Sequence, residues 1–276
     1  MSKVWFVTGA SRGLGRSIVE AALQGGDSVV ATARQPEQLH DLVQQYGKQL
    51  LPLALDVTNH AQVLATVQAG YAAFGRYDVV VNNAGYADTA ALEDMTLEAF
   101  KAQIDTNFYG VVYVTKAVLP LLRAQGSGHI FLVSSIGGRM GSVGLSAYQS
   151  AKWALNGFAT VLAQEVAPLG IQVTALEPGG MRTDWAGSSM AIPPISEPYQ
   201  PTVGAFANML RAYSGQEPTD PAKVAGVIKQ LANRPDAPVR LLLGADAVHY
   251  AALSAEALAA SDAQWHDLSI SVGFPA

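Results

Sequence analysis

The chain has 276 residues, half of them hydrophobic, no cysteine and a net charge of −5. This apolar content suffices for a large core with strands buried on both faces. The lack of a basic excess argues against nucleic acid or an anionic membrane as partner. Without cysteine there are no disulfides, no thiolate catalysis and no cysteine-held metal.

Met1-Ser2-Lys3 leads directly into the apolar run Val4 to Val7. That run is too short for a signal peptide, and no apolar run reaches bilayer-spanning length, so the expectation is a cytoplasmic protein with no membrane span. The first strand, Lys3–Thr8, enters Thr8-Gly9-Ala10-Ser11-Arg12-Gly13-Leu14-Gly15, and a helix follows over Leu14–Gln24. Glycines here allow a sharp turn and a close approach to a pyrophosphate, whose charge a helix N-terminus favours. The spacing is G-x-x-x-G-x-G rather than G-x-G-x-x-G, and taken alone it also reads as an ordinary glycine-rich turn.

The second strand, Ser28–Ala33, ends on Arg34, with no acid where NAD would need one for its ribose 2′-hydroxyl. Asp27 lies at the wrong end of that strand. Arg34 and Arg12 are candidates for holding a 2′-phosphate, which favours NADP(H).

A third strand over Leu50–Leu55 precedes Asp56-Val57, a helix over Ala61–Phe74 follows, and a fourth strand over Asp78–Asn82 runs into Asn83-Ala84-Gly85. Asp56 reads equally as a helix cap. The long helical pattern Leu97–Arg123 carries Asn107, and the strand His129–Ser134 is followed by Ser135. The helix Tyr148–Val166 places Tyr148 and Lys152 on one face. Tyrosine, with an ordinary pKa of about 10, needs a neighbouring ammonium to act as a base near neutrality. After the strand Ile171–Leu176 come Pro178-Gly179 and Thr183, then Trp185–Pro218, an irregular stretch with five prolines. Such an insertion is expected to be a substrate-covering loop. Asp220-Pro221 starts a helix and Val239–Leu243 forms a last strand. The expected fold is one α/β, doubly wound (Rossmann-like) domain over 1–276, with a mostly parallel seven-stranded sheet between helices.

These motifs together resemble a short-chain dehydrogenase/reductase of the single-domain, NADP-preferring type along nearly the whole chain. The parts that match are Thr8-Gly9-x-x-x-Gly13-x-Gly15, Asn82-Asn83-Ala84-Gly85, Asn107, Ser135 thirteen residues before Tyr148-x-x-x-Lys152, and Pro178-Gly179-x-x-x-Thr183. The resemblance implies a catalytic set of Asn107, Ser135, Tyr148 and Lys152. Ser135 would polarise the substrate oxygen and Tyr148 would exchange a proton with it. Lys152 would hold the nicotinamide ribose and tune Tyr148, and Asn107 would position a water. The cofactor is expected on Gly9, Ser11, Arg12, Gly13, Leu14, Gly15, Arg34, Asp56, Val57, Asn83, Ala84, Gly85, Tyr148, Lys152, Pro178, Gly179, Met181 and Thr183. Of the adjacent serines, Ser134 points to the other side of the strand, and Ser135 has the matching offset from Tyr148.

The substrate is expected against Ser135, Tyr86, Ile136, Met140, Trp185 and Met190, apolar walls that suit a lipophilic ketone or aldehyde. Competing readings are a non-catalytic NADP-binding sensor or scaffold and a nucleotide-sugar epimerase or dehydratase, which also uses a tyrosine–lysine pair. The five histidines are scattered without ligand spacing, so no metal is expected. The resemblance, with apolar residues on several helix faces, implies a homodimer or homotetramer.

Overall fold

The structure, a computed structural model, describes residues 2–187 and 189–274. In chain order its elements are β1 (Val4–Thr8), α1 (Gly13–Gln24), β2 (Ser28–Ala33), α2 (His40–Tyr46), β3 (Leu50–Ala54) and α3 (His60–Phe74). β4 (Val79–Asn82), α4 (Leu97–Ile104), α5 (Gly110–Gln125), β5 (Gly128–Val133), α6 (Ser146–Val166) and β6 (Ile171–Pro178) come next. The chain continues with α7 (Ala205–Tyr213), α8 (Pro221–Leu231), β7 (Arg240–Leu243), α9 (Ala245–Gln264) and α10 (His266–Ile270). The seven strands form one sheet, paired parallel throughout, in the order β3-β2-β1-β4-β5-β6-β7. The winding direction reverses between β1 and β4, and in such sheets a ligand crevice opens at the carboxyl ends there.

The strands show no polar alternation because both of their faces are buried. Phe6, Val30, Val80, Ile130 and Leu132 face one apolar layer with Val63, Val67, Val114, Val118 and Leu155 from α3, α5 and α6. Their neighbours Trp5, Val7, Val29, Val79, Val81 and Phe131 face a second layer with Ile18, Val19, Leu42, Val224 and Ile228 from α1, α2 and α8. The alternation is between two hydrocarbon layers rather than between core and water. Pro52, which cannot donate to a ladder, sits in β3 at the sheet edge, where that omission is tolerated.

Two stretches differ from expectation, and a third carries a helix that the sequence pattern does not mark. The pattern over Leu97–Arg123 is broken by a π-helical turn at Asp105–Tyr109, so α4 and α5 are separate helices. The stretch 185–218, of which residue 188 lies outside the described residues, is not wholly irregular. It carries α7, whose Phe206 and Leu210 pack on a small cluster of Ala87, Leu145, Tyr148 and Met190. Beyond β7 the alanine-rich run continues as α9, docked by Ala247 and Ala251. From Ala252 to Phe274 every residue is exposed except the partly buried Ser254, whose hydroxyl donates to the Arg139 carbonyl at 2.7 Å. No helix among the described residues is long and apolar enough to cross a membrane.

Candidate active site

The glycine loop closes on itself before it meets anything else. Gly9 and Gly13 hold φ at +64° and +54°, a left-handed backbone that side chains disfavour. A Cβ on Gly15 would fall 2.2 Å from the Gly9 carbonyl oxygen, so only glycine lets α1 start this close to β1. The segment after β4 fastens the loop: the Asn83 side-chain amide donates to the carbonyls of Thr8 and Gly9, both at 3.0 Å. The Thr8 hydroxyl in turn accepts from the backbone N–H groups of Asn83 and Ala84, both at 3.0 Å. Four bonds thus lock two loops across the point where the sheet reverses.

At the other end, α6 presents Tyr148 and Lys152 to the end of β5. The Lys152 Nζ lies 5.4 Å from the centre of the Tyr148 ring and donates to the Val133 carbonyl at 2.8 Å. Burial pushes the Tyr148 phenol up to about 12, with the Ser135 hydroxyl beside it pulling the other way. Burial also pulls the Lys152 amine down to about 7. Desolvation penalises the charged form of each. In the protein alone, then, the tyrosine holds its proton at neutral pH.

The two serines divide as strand geometry requires. Ser134, 2 % exposed, is tied to the sheet through its N–H on the Leu176 carbonyl at 2.8 Å. Ser135 caps the short turn that follows, accepting from Gly137 N at 3.0 Å, and reaches Tyr148. The turn is held from below: the Asn156 amide on α6 donates to the Gly138 carbonyl at 3.0 Å. Just beyond it, Arg139 and Arg240 converge on the two oxygens of Glu177, a fully buried carboxylate on β6, each at 2.7 Å.

Asn107 sits inside the π turn, fully buried, and its amide donates to the carbonyls of Tyr86 at 2.8 Å and Gln103 at 2.9 Å. Among the described residues its Oδ1 has no hydrogen-bond partner. A Cβ on Gly85 would come 2.6 Å from that oxygen and 3.6 Å from Lys152 Nζ. The Pro178–Met181 turn is fixed from the far end of the chain, where Gly180 N donates to Asp246 Oδ2 on α9 at 2.7 Å.

The glycine loop, the Tyr148–Lys152 face of α6, Ser135 and the Pro178–Met181 turn line one cleft of about 1790 Å³. Ser11, Arg12, Gly13, Leu14, Arg34, Asp56 and Val57 lie along it with Asn83, Ala84, Gly85, Asn107, Ser135, Tyr148 and Lys152. Pro178, Gly179, Met181 and Thr183 also line it, as do Gly9, Tyr86, Ile136, Met140 and Trp185. Gly15 does not line the cleft: its place is behind the loop, against Gly9. Met190 is a correction of a different kind. It is 4 % exposed and packs beneath Tyr148, with its sulfur accepting from the Thr89 hydroxyl at 3.1 Å, so it supports the wall without forming it.

Asp56 is no helix cap. Its Oδ1 accepts from the Thr58 N–H at 2.9 Å, whereas Asn59 caps α3 through Gln62 N. Asp27 is occupied at the opposite end of β2 by Lys3 N and the Trp5 indole. Motif reading missed Phe206, Met209, Leu210, Tyr213, Glu217, Asp246 and Tyr250, all on the cleft. They come from α7, from the segment after it and from α9, where no motif spacing marks them.

A glycine-rich turn at the switch point of a parallel sheet, facing a tyrosine–lysine pair with an adjacent serine, defines a dinucleotide-type oxidoreductase site. A family model described as short chain dehydrogenase matches residues 3–191. The chain is 61% identical over 271 residues to oxidoreductase BOA17 of Botryotinia fuckeliana, covering 98% of this chain and 99% of that one. A solved short-chain dehydrogenase from Streptomyces avermitilis superposes with a TM-score of 0.94 at 36% identity, covering 99% of this chain and 100% of that one. A serine dehydrogenase solved with NADP+ follows at a TM-score of 0.75 and 27% identity, covering 87% and 94%. The chain belongs to the short-chain dehydrogenase family and is an oxidoreductase of that family.

Proposed function

We propose that the protein is an NADPH-dependent reductase that converts a lipophilic ketone or aldehyde to its alcohol, with Tyr148 as the general acid. The observation that carries this reading is the convergence of Ser135, Tyr148 and Lys152 in the same cleft as Arg12 and Arg34. The residues present fit NADP(H). The cleft runs from Arg12 and Arg34 past the glycine loop to a buried lysine whose ammonium, among the described residues, makes a single carbonyl contact. That leaves ammonium donors for ribose hydroxyls, and no acidic residue ends β2 to repel a 2′-phosphate. When bound, NADPH would supply a hydride to the carbonyl carbon.

Ser135 donates a hydrogen bond to the substrate oxygen and fixes its direction. Tyr148, kept protonated by burial, delivers its proton to the same oxygen. Lys152 holds the ribose and, when charged, lowers the cost of the phenolate that remains. The 185–218 segment covers the substrate, with the Trp185 ring centroid 5.4 Å from that of Tyr148.

The test is loss of NADPH absorbance with a panel of lipophilic ketones, aldehydes and quinones, repeated with NADH and with Tyr148→Phe. Turnover with NADPH that is weak with NADH and lost in the variant is the expected result. Equal use of NADH would remove the role given to Arg12 and Arg34. Tight NADPH binding with turnover of nothing in the panel would favour a non-catalytic NADP sensor.

A further inference from the structure

The charges on the cleft are unevenly distributed. Its cationic side chains are Arg12 and Arg34 at the nucleotide end and Lys152 beneath Tyr148. Among the described lining residues, no lysine or arginine comes from α7, the segment after it or α9, where the walls are Phe206, Met209, Leu210, Tyr213 and Tyr250. Two carboxylates do stand there, Asp246 on α9 and Glu217. Glu217 is 5 % exposed yet lines the cleft, and its Cβ lies 3.7 Å from where a Cβ on Gly180 would be, beside the Pro178–Met181 turn.

The neighbours of Glu217 leave half of this carboxylate unused. Oε2 accepts from the Gly215 N–H at 2.8 Å. Among the described residues Oε1 takes no hydrogen bond, and it is not sealed from solvent as the buried partnerless atoms are. Arg182, the cation that touches this residue, donates to the Glu217 carbonyl at 3.1 Å and not to the side chain. Of the other acids near the substrate end, Asp184 takes Arg12 and Asp88 takes Ala191 N, while Asp246 takes Gly180 N on Oδ2 and holds a partnerless Oδ1 that is sealed from solvent, where no ligand reaches it. A mostly buried carboxylate with one oxygen open to the cleft loses its water there when an apolar ligand enters, and a donor on that ligand replaces it.

We propose that the substrate is a lipophilic carbonyl compound carrying a polar hydrogen donor, an ammonium or hydroxyl group, away from its carbonyl, and that Glu217 receives that donor. By the same geometry the site disfavours substrates ending in a carboxylate, which would face Glu217, while the neighbouring Arg182 is engaged on the Glu217 carbonyl and does not line the cleft. This rests on the assignment of Tyr148 as the reacting end of the cleft. Glu217 is a specificity residue and takes no part in proton or hydride transfer.

The experiment measures binding, not turnover, so that the two readings fail separately. Octylamine, octanol and octanoate are titrated calorimetrically at pH 7 into the full chain, with and without NADP+, and into Glu217→Gln. The expected order is octylamine tightest, octanol next and octanoate weakest, with amine over acid by about tenfold or more. In Glu217→Gln the amine-to-acid ratio falls toward one while octanol changes little. Octanoate binding as tightly as octylamine, no detectable binding of any of the three, or an unchanged ratio in the variant would each overturn the proposal. Should Glu217→Gln fail to fold, the order among the three ligands on the unaltered protein still decides. Amine preference without NADPH turnover would instead count against Tyr148 chemistry and leave the Glu217 assignment standing.

Discussion

Arg12 and Asp184 lie 172 positions apart in sequence and meet at 3.2 Å on the rim of the cleft, one in the glycine loop and the other at the start of the covering segment. Both are substantially exposed, at 59% and 42% of their side-chain surface, so the pair itself adds little stability. Its consequence is competition. On the proposed reading, an Arg12 engaged by a carboxylate must exchange that partner for a 2′-phosphate. Asp184→Asn is therefore expected to tighten NADPH binding about threefold while leaving NADH binding unchanged. Fluorescence titration with both cofactors decides it; a parallel gain for NADH would mean that Asp184 does not act through Arg12.

Lys152 makes a second prediction, about stability. Its folded value of about 7 lies below the ordinary 10.5. Between those values the unfolded chain binds a proton that the folded chain does not, so the Lys152 contribution to stability rises with pH from about 7 upward. Below that, both states carry the ammonium and its burial cost is fully present. Tyr148, raised from 10.0 to about 12, opposes the trend only above pH 10, where the unfolded chain gives up a proton that the fold retains. Urea unfolding of the cofactor-free protein at pH 7 and pH 9 is expected to show extra stabilisation on the order of 1 kcal/mol per pH unit relative to Lys152→Met. Parallel pH profiles for the two proteins would contradict the burial of an uncompensated amine.

Glu177 carries the third. It is fully buried and is met by two arginines, so replacing it leaves two guanidinium groups facing each other without their anion. Breaking a buried pair in this way costs about 3–5 kcal/mol. Since each arginine is about a third exposed and can turn toward water, Glu177→Gln is expected near the lower end, about 3 kcal/mol by urea unfolding. Arg139 closely follows the turn bearing Ser135, so a drop in kcat with KM for NADPH unchanged is also expected. A loss below ~0.5 kcal/mol, the range of an ordinary surface change, would show the triad to be solvated.

Much of this is legible in the sequence. The sheet was readable because β1, β2, β4, β5 and β6 are short β-branched or leucine-rich runs between helical periods, and Tyr148, Lys152 and Ser135 because their spacing follows from one helix and one strand end. Three features were not. Met190 looked like a wall residue because apolar character on a mobile-looking segment says nothing about which side of Tyr148 it takes. α9 was missed since its alanines give it propensity but little amphipathic signal, and a helix with so few buried residues leaves no stripe to read. Glu217 was invisible because a glutamate beside Gln216 and Pro218 reads as loop polarity, and only the return of the chain from α7 to the Pro178–Met181 turn puts it on the cleft.

The π turn at Asp105–Tyr109 has a simple arithmetic. A turn closed five residues apart instead of four is one residue in excess, and each residue advances an α-helix by about 100°. Removing a single residue from this turn would let α4 and α5 join into one regular helix, with better backbone hydrogen bonding and no interruption. The wide turn absorbs the extra residue so that both halves keep their packing, and the residues inside it, Asn107 among them, are the ones displaced from regular helical positions. The helix is thus held one residue away from its own most regular form, and that surplus residue is what brings an asparagine to the site.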